Sequence, residues 1–112
     1  MSDCLFCRIV AAEIPADVVR ETEHTIAFRD IAPHAPVHVL VVPREHHRDV
    51  AELAAHADLL QAVIAEAAAV AVQEGLTDGW RLLFNTGHDA GQTVFHVHAH
   101  VLGGEPLGAL RG

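Results

Sequence analysis

The sequence predicts an α+β domain: an antiparallel sheet of five strands, with one long helix and one short helix packed on one face of it. Three observations predict this. Short apolar and β-branched runs such as "TIAFRD", "VHVLVV" and "WRLLFNT" are bounded by turn residues, the mark of strands. From about Ala54 to Glu74 the apolar spacing changes to steps of three and four, the period of a helix. The strands also follow one another in hairpin-like succession instead of alternating with helices, which favours antiparallel pairing.

Each element has its own reason. "CLFCRIVAAEIPA" opens with a helical turn or two, apolar at Leu5, Phe6, Ile9 and Val10, and stops before Pro15. "DVVRETEHTIAFRD" reads as a hairpin turning at Glu21 to His24. "IAPHAP" is a loop, because Pro33 and Pro36 remove donors and fix the backbone. "VHVLVV" is a buried strand closed by Pro43, and "PREHHRDV" is its polar exit. In the long helix, Leu53, Leu60, Ile64, Ala67 and Ala71 form one apolar stripe, with Gly75 at the C-terminal cap. "WRLLFNT" is the next strand, starting at Trp80, and "GHDAGQ" is a glycine-bearing loop. "TVFHVHAHVL" is a long last strand, and residues 103–112 form a glycine- and proline-bearing tail.

The whole chain of 112 residues reads as one domain, with a core modest enough that pairing with a second copy would help it. A net charge of −8 and the absence of lysine speak against binding nucleic acid or a membrane surface, which takes a basic face. A phosphorylated small molecule remains open to it, held by histidines and backbone N–H groups. No signal peptide or membrane-spanning run is expected, so the cytoplasm is the expected compartment, where Cys4 and Cys7 stay reduced.

The ten histidines are concentrated in an informative way. In "FHVHAHVLGG" three of them alternate with Val97, Ala99 and Val101, so a strand presents His96, His98 and His100 on one face and the apolar set on the other. A single histidine on a strand is most often a solvated side chain; three in register before a glycine pair are harder to explain that way. Two chemistries fit: chelation of zinc by His-x-His, or catalysis by imidazole itself. No Asp or Glu lies between Thr93 and Gly104 to serve as metal ligand or base, which favours imidazole. The loop "GHDAGQT" leads straight into the row. Its Gly87 and Gly91 allow close backbone approach, and its Gln92 and Thr93 offer donors. His24, His34, His56 and His88 are expected at the surface.

These residues resemble the histidine-triad (HIT) family. "HVHAHVL" fits its pattern of three alternate histidines, each followed by an apolar residue, and "CLFCRIVAAEIPA", "TIAFRDIAPHAPVHVLVVPREH" and "FNTGHDAGQTVFHVHAHVLGG" follow the Hint-like branch in order and spacing. The resemblance implies a homodimer with joined sheets and a pocket for a purine nucleoside monophosphate. It further implies hydrolysis of the bond between the α-phosphate and a leaving group, commonly an amine, with no cofactor required for catalysis. His98 falls at the nucleophile and would carry a transient nucleotidyl group. His100, His38, His96 and Thr93 would complete the catalytic set. Asn85 and the Gly91, Gln92 and Thr93 amides would hold the phosphate, Asp30 the ribose, and Phe6, Ile9, Phe28 and Ile31 the base. Where many relatives carry arginine this chain has Glu105, and its tail lacks their tryptophan.

Cys4 and Cys7 alone are half a zinc site by spacing, and two small apolar residues on a short helix would look the same. Some bacterial HIT proteins resemble this chain in pairing such cysteines with two histidines. Those fall on His46 and His96, with His47 the substitute for His46, and a Cys₂His₂ set would be structural. Three rival functions remain: a dinucleoside polyphosphate hydrolase, a zinc-dependent hydrolase with the metal on the triad, and a non-catalytic nucleotide-binding module.

Overall fold

The structure is a computed structural model that describes residues 3–109; the last three residues of the tail lie outside them. The elements are α1 (Leu5–Val10), β1 (Val18–Glu21), β2 (Thr25–Arg29), β3 (Val37–Pro43), α2 (Val50–Leu53), α3 (Ala57–Gln73), β4 (Trp80–Leu83) and β5 (Ala99–Gly103). The five strands form one antiparallel sheet in the order β1-β2-β3-β5-β4.

Strand alternation divides the core between the two faces. Ala27, Val39, Val41, Ala99 and Val101 pack with Val63, Ala67, Val70 and Ala71 of α3. Ile26, Phe28, Leu40 and Val42 face the other way and pack with Phe6 of α1. The two helices therefore lie on opposite faces, not on one as expected. The second face is only partly covered by the six-residue α1, and the uncovered part is where a ligand can enter.

Two more expectations need correction. The long helix starts at Ala57, a little later than expected, and Leu53 of the expected stripe belongs to a separate turn, α2. Asp49 caps α2 by accepting from the Glu52 N–H at 2.9 Å, which gives that turn its own start. The inward stripe keeps Leu60, Ala67 and Ala71 as expected but departs at one position. Val63, Glu66, Ala67, Val70 and Ala71 are buried, whereas Ile64 is exposed. Small residues let the helix lie close to the sheet. The buried Glu66 is taken up by Arg20 and by the Thr25 hydroxyl.

The last strand is shorter than expected, joining the ladder only at Ala99. The partner strand explains this. β3 ends in Pro43, whose carbonyl accepts from the His96 ring instead of from a strand amide, and the Val97 N–H turns to the His47 carbonyl at 2.7 Å. The β4 ladder likewise stops at Leu83, short of the expected Thr86. The glycine pair has a packing reason. A Cβ on Gly103 would stand 2.9 Å from the Leu76 side chain, and Gly104 has φ +97°. Among the described residues no helix is long and apolar enough to cross a membrane.

Candidate active site

The open part of the second sheet face holds a pocket of about 450 Å³. Neighbouring strands place two histidines in its floor. His38 on β3 pairs with Leu102 and His100 on β5 pairs with Leu40, so the two rings are diagonal neighbours and meet at 2.9 Å between Nε2 and Nδ1. His98 enters from the segment just before β5, its ring 5.0 Å from that of His100.

Hydrogen bonds fix which nitrogen of each ring carries the proton. The backbone N–H of His34 donates to His38 Nδ1 at 3.0 Å. The neutral His38 ring therefore keeps its proton on Nε2, which donates to His100 Nδ1. His100 is left with a proton on Nε2, which stands 3.4 Å from Asn85 Nδ2, so the two are donors side by side and not partners of one another. His98 is set the opposite way: its Nδ1–H donates to the His96 carbonyl at 2.8 Å, leaving a bare lone pair on Nε2. Burial lowers the pKa of His98 and His38 below 6.5 and that of His100 to about 4, where the neighbouring His98 and His38 rings add to the effect. All three rings are neutral near pH 7.

The remaining expected residues divide. Phe6, Ile9, Phe28, Asp30, Ile31, Asn85, Gly91 and Thr93 all line this pocket. Asp30 Oδ2 stands 3.5 Å from His38 Nε2, and Ile31 is fully exposed at the rim. Gln92 departs from expectation. Its buried side chain accepts from the Gly87 N–H and donates to the Arg48 and Val94 carbonyls, so it braces the loop from within. The Gly91 and Gln92 amides close the turn onto His88 and Gly87, so Gly91 lines the pocket without offering it an amide, and Thr93 lines it beside Gly91.

His96 does not join the other two rings. It is fully buried, donates from Nε2 to the Pro43 carbonyl at 2.8 Å, and turns a bare Nδ1 to Cys4, Cys7 and His46. These four donor atoms lie within 4.8 Å of one another, with Sγ–N and N–N separations of 3.2–3.5 Å. Ligand atoms around a tetrahedral zinc stand about 3.3–3.8 Å apart. The donor set fits that ion. Between the two candidates, His46 faces the cysteines, whereas His47 stands between Glu45 and Glu52 against the His56 ring. The three triad rings are thus not arranged around one ion. Asp30, His38 and His100 also cluster, but His38 Nδ1 takes an amide proton, so its Nε2 is a donor there and not a ligand.

Comparison with known proteins gives the family. A family model described as the HIT domain matches residues 11–107. The chain belongs to the HIT family. It is 43% identical to a purine nucleoside phosphoramidase of Escherichia coli (strain K12), covering 96% of this chain and 92% of that one. It is 39% identical to a 14 kDa zinc-binding protein of Brassica juncea, covering 94% and 96%. The structure of a HIT family hydrolase from Legionella pneumophila Philadelphia 1 superposes with a TM-score of 0.93 at 41% identity, covering 98% of this chain and all of that one.

What sequence reading missed in this HIT protein is mostly main chain. The His34 amide and the Pro43 and His96 carbonyls set three ring tautomers, and a carbonyl carries no letter of its own. His34, expected merely at the surface, is exposed but also lines the pocket. A proline at the end of a buried strand was the one available hint, since it removes an amide from the ladder.

Proposed function

We propose that this HIT protein hydrolyses purine nucleoside 5′-phosphoramidates through a covalent intermediate on His98. The observation that carries the reading is the bare Nε2 of His98, held by the Nδ1–H bond to the His96 carbonyl in a pocket where His38 and His100 keep their protons on Nε2. That lone pair attacks the α-phosphorus, the P–N bond breaks, and its electron pair leaves with the amine, which takes up a proton. Water then attacks the nucleotidyl-histidine, the P–Nε2 bond breaks, and the monophosphate and the free ring are released. His100 Nε2–H, the Thr93 hydroxyl and Asn85 hydrogen-bond the phosphate oxygens, while His38 holds His100 in the donating tautomer. Asp30 accepts from the ribose hydroxyls, and the apolar rim with Ile31 meets the base. The name of the Escherichia coli relative supports the substrate class.

Rapid quench with an adenosine phosphoramidate followed by mass spectrometry tests this. An adenylyl adduct on the His98 peptide is expected. Turnover with the adduct elsewhere, or with none, overturns the assignment.

We further infer that Cys4, Cys7, His46 and His96 hold a structural zinc, for which the donor set and the named zinc-binding relative are the support. With four protein ligands the ion would supply cross-linking, and its thiolates suit a reducing, cytoplasmic compartment. Zinc well below one per chain in protein purified without chelator would end this reading. A homodimer joined along β4 is the reading of that sheet edge. Among the described residues β4 pairs only with β5; it is short, with Trp80 38% exposed and Leu82 and Leu83 beside it. Light scattering giving a mass of one chain would refute it.

A further inference from the structure

We propose that the Cys4/Cys7/His46/His96 group positions the nucleophile: it holds two of the contacts that orient the His98 ring, the His96 carbonyl and the Phe6 ring. The inference rests on the zinc and nucleophile readings above.

The first contact is the carbonyl. Residue 96 is fixed through both of its ring nitrogens, Nε2 on the Pro43 carbonyl and Nδ1 within the donor group. Its own carbonyl accepts the Nδ1–H of His98 at 2.8 Å, and that bond decides which nitrogen of the nucleophile is bare. The adjoining residues are joined in the same way, since the Val97 N–H donates to the His47 carbonyl at 2.7 Å. Releasing His96 from the group releases the one acceptor that holds the reactive tautomer.

The second contact is Phe6. It lies between Cys4 and Cys7 in α1, whose first turn begins with Cys4 Sγ accepting the Cys7 N–H at 3.4 Å. A helix of six residues is too short to be stable alone. Its place is set by the two cysteines and by Phe6 packing on Phe28, ring centroids 5.3 Å apart. The Phe6 ring meets that of His98 at 5.0 Å and 90°, an edge contact that stops the imidazole from swinging. Both restraints on one ring therefore end on ligands of the same group. A staple that only held the N-terminus would not need to touch the nucleophile twice.

The test compares metal-loaded protein, chelator-stripped protein and Cys7→Ser, each at a temperature where circular dichroism shows it folded. Ring ¹⁵N NMR at pH 8 reads the His98 tautomer, and single-turnover kinetics at saturating adenosine phosphoramidate read the transfer step. Loaded protein should give separate protonated-Nδ1 and bare-Nε2 signals for His98. Stripped protein should give averaged ones, with a transfer rate lower by about tenfold or more, the loss typical when a group orienting a reactive residue is removed. Phe6→Leu in loaded protein covers the case in which stripping unfolds the chain. It should retain one zinc per chain while transfer slows several-fold. Folded, stripped protein with an unchanged His98 tautomer and a rate within twofold would overturn the proposal, as would Phe6→Leu with an unaltered rate. Failure of loaded wild-type protein to form any His98 adduct would instead sink the catalytic reading, and the NMR comparison would still decide the coupling.

Discussion

His96 and His98 are the same side chain two residues apart, and they face different chemistry. His96 gives its Nε2–H to the Pro43 carbonyl and presents Nδ1 to two sulfurs; His98 gives its Nδ1–H to the His96 carbonyl and presents Nε2 to an open pocket. The carbonyl each ring finds decides which nitrogen is left to act. A row of imidazoles is therefore not one catalytic unit. On the reading proposed above it is a ligand and a nucleophile joined by a peptide that serves both.

Substituting His98 should have the largest effect and break the comparison most cleanly. His98→Ala should lower turnover of an adenosine phosphoramidate by at least about 10³-fold, because His38 and His100 use their bare nitrogens as acceptors, from the His34 amide and from His38. Zinc content and thermal midpoint should stay as in the wild type. The mirror experiment, Cys7→Ser, should lower the midpoint by on the order of 10 °C. Calorimetry and kinetics on both variants check this. A His98→Ala protein that loses zinc would mean the two halves are one site after all.

His38→Gln comes next. His38 acts through His100, so its loss should cost about 10²-fold, at the low end for a proton-handling group. The effect should fall on kcat, since His38 lies behind His100. An unchanged kcat with a raised KM would show that His38 only shapes the pocket.

The pH profile sharpens the same point. Burial holds His98 below 6.5, so activity should be flat from pH 8 to 6.5 and fall, at most tenfold per unit, only below that. Stability should follow in the same direction. The His100 ring takes a proton near 6.5 when unfolded but only at about 4 when folded. The unfolded chain therefore binds more protons between those values, and the thermal midpoint should drop as pH falls through that window. An acid limb of activity beginning above pH 7 would contradict the buried setting of His98.

How far the sequence carried this reading depends on what side chains alone can specify. The alternation in "HVHAHVL" gave the apolar half correctly, with Val97, Ala99 and Val101 under α3. It did not tell where the ladder ends, because that depends on Pro43 in another strand. The α3 stripe was right at Leu60, Ala67 and Ala71 and wrong at Ile64, because seven alanines from 57 to 71 leave several equivalent faces, and Glu66 hides among them paired with Arg20. Gln92 shows the general limit. A polar letter next to a pocket reads as a ligand contact, yet a buried amide is satisfied first by its own loop.

The smallest expected effect separates two residues that the sequence grouped together as walls for the base. Phe28 is 3% exposed and Ile31 is 100% exposed, so the first already belongs to the core, while the second is uncovered among the described residues and would be covered by a base under the proposed function. Phe28→Ala should therefore destabilise the fold by about 3 kcal/mol or more, through the cavity it leaves beside Phe6. Ile31→Ala should leave the thermal midpoint unchanged. Partial burial of the isoleucine against a purine is worth about 1 kcal/mol, so KM should rise roughly fivefold with kcat intact. A KM unaffected by Ile31→Ala would mean the base never reaches the rim and lies wholly on the α1 side, against Ile9.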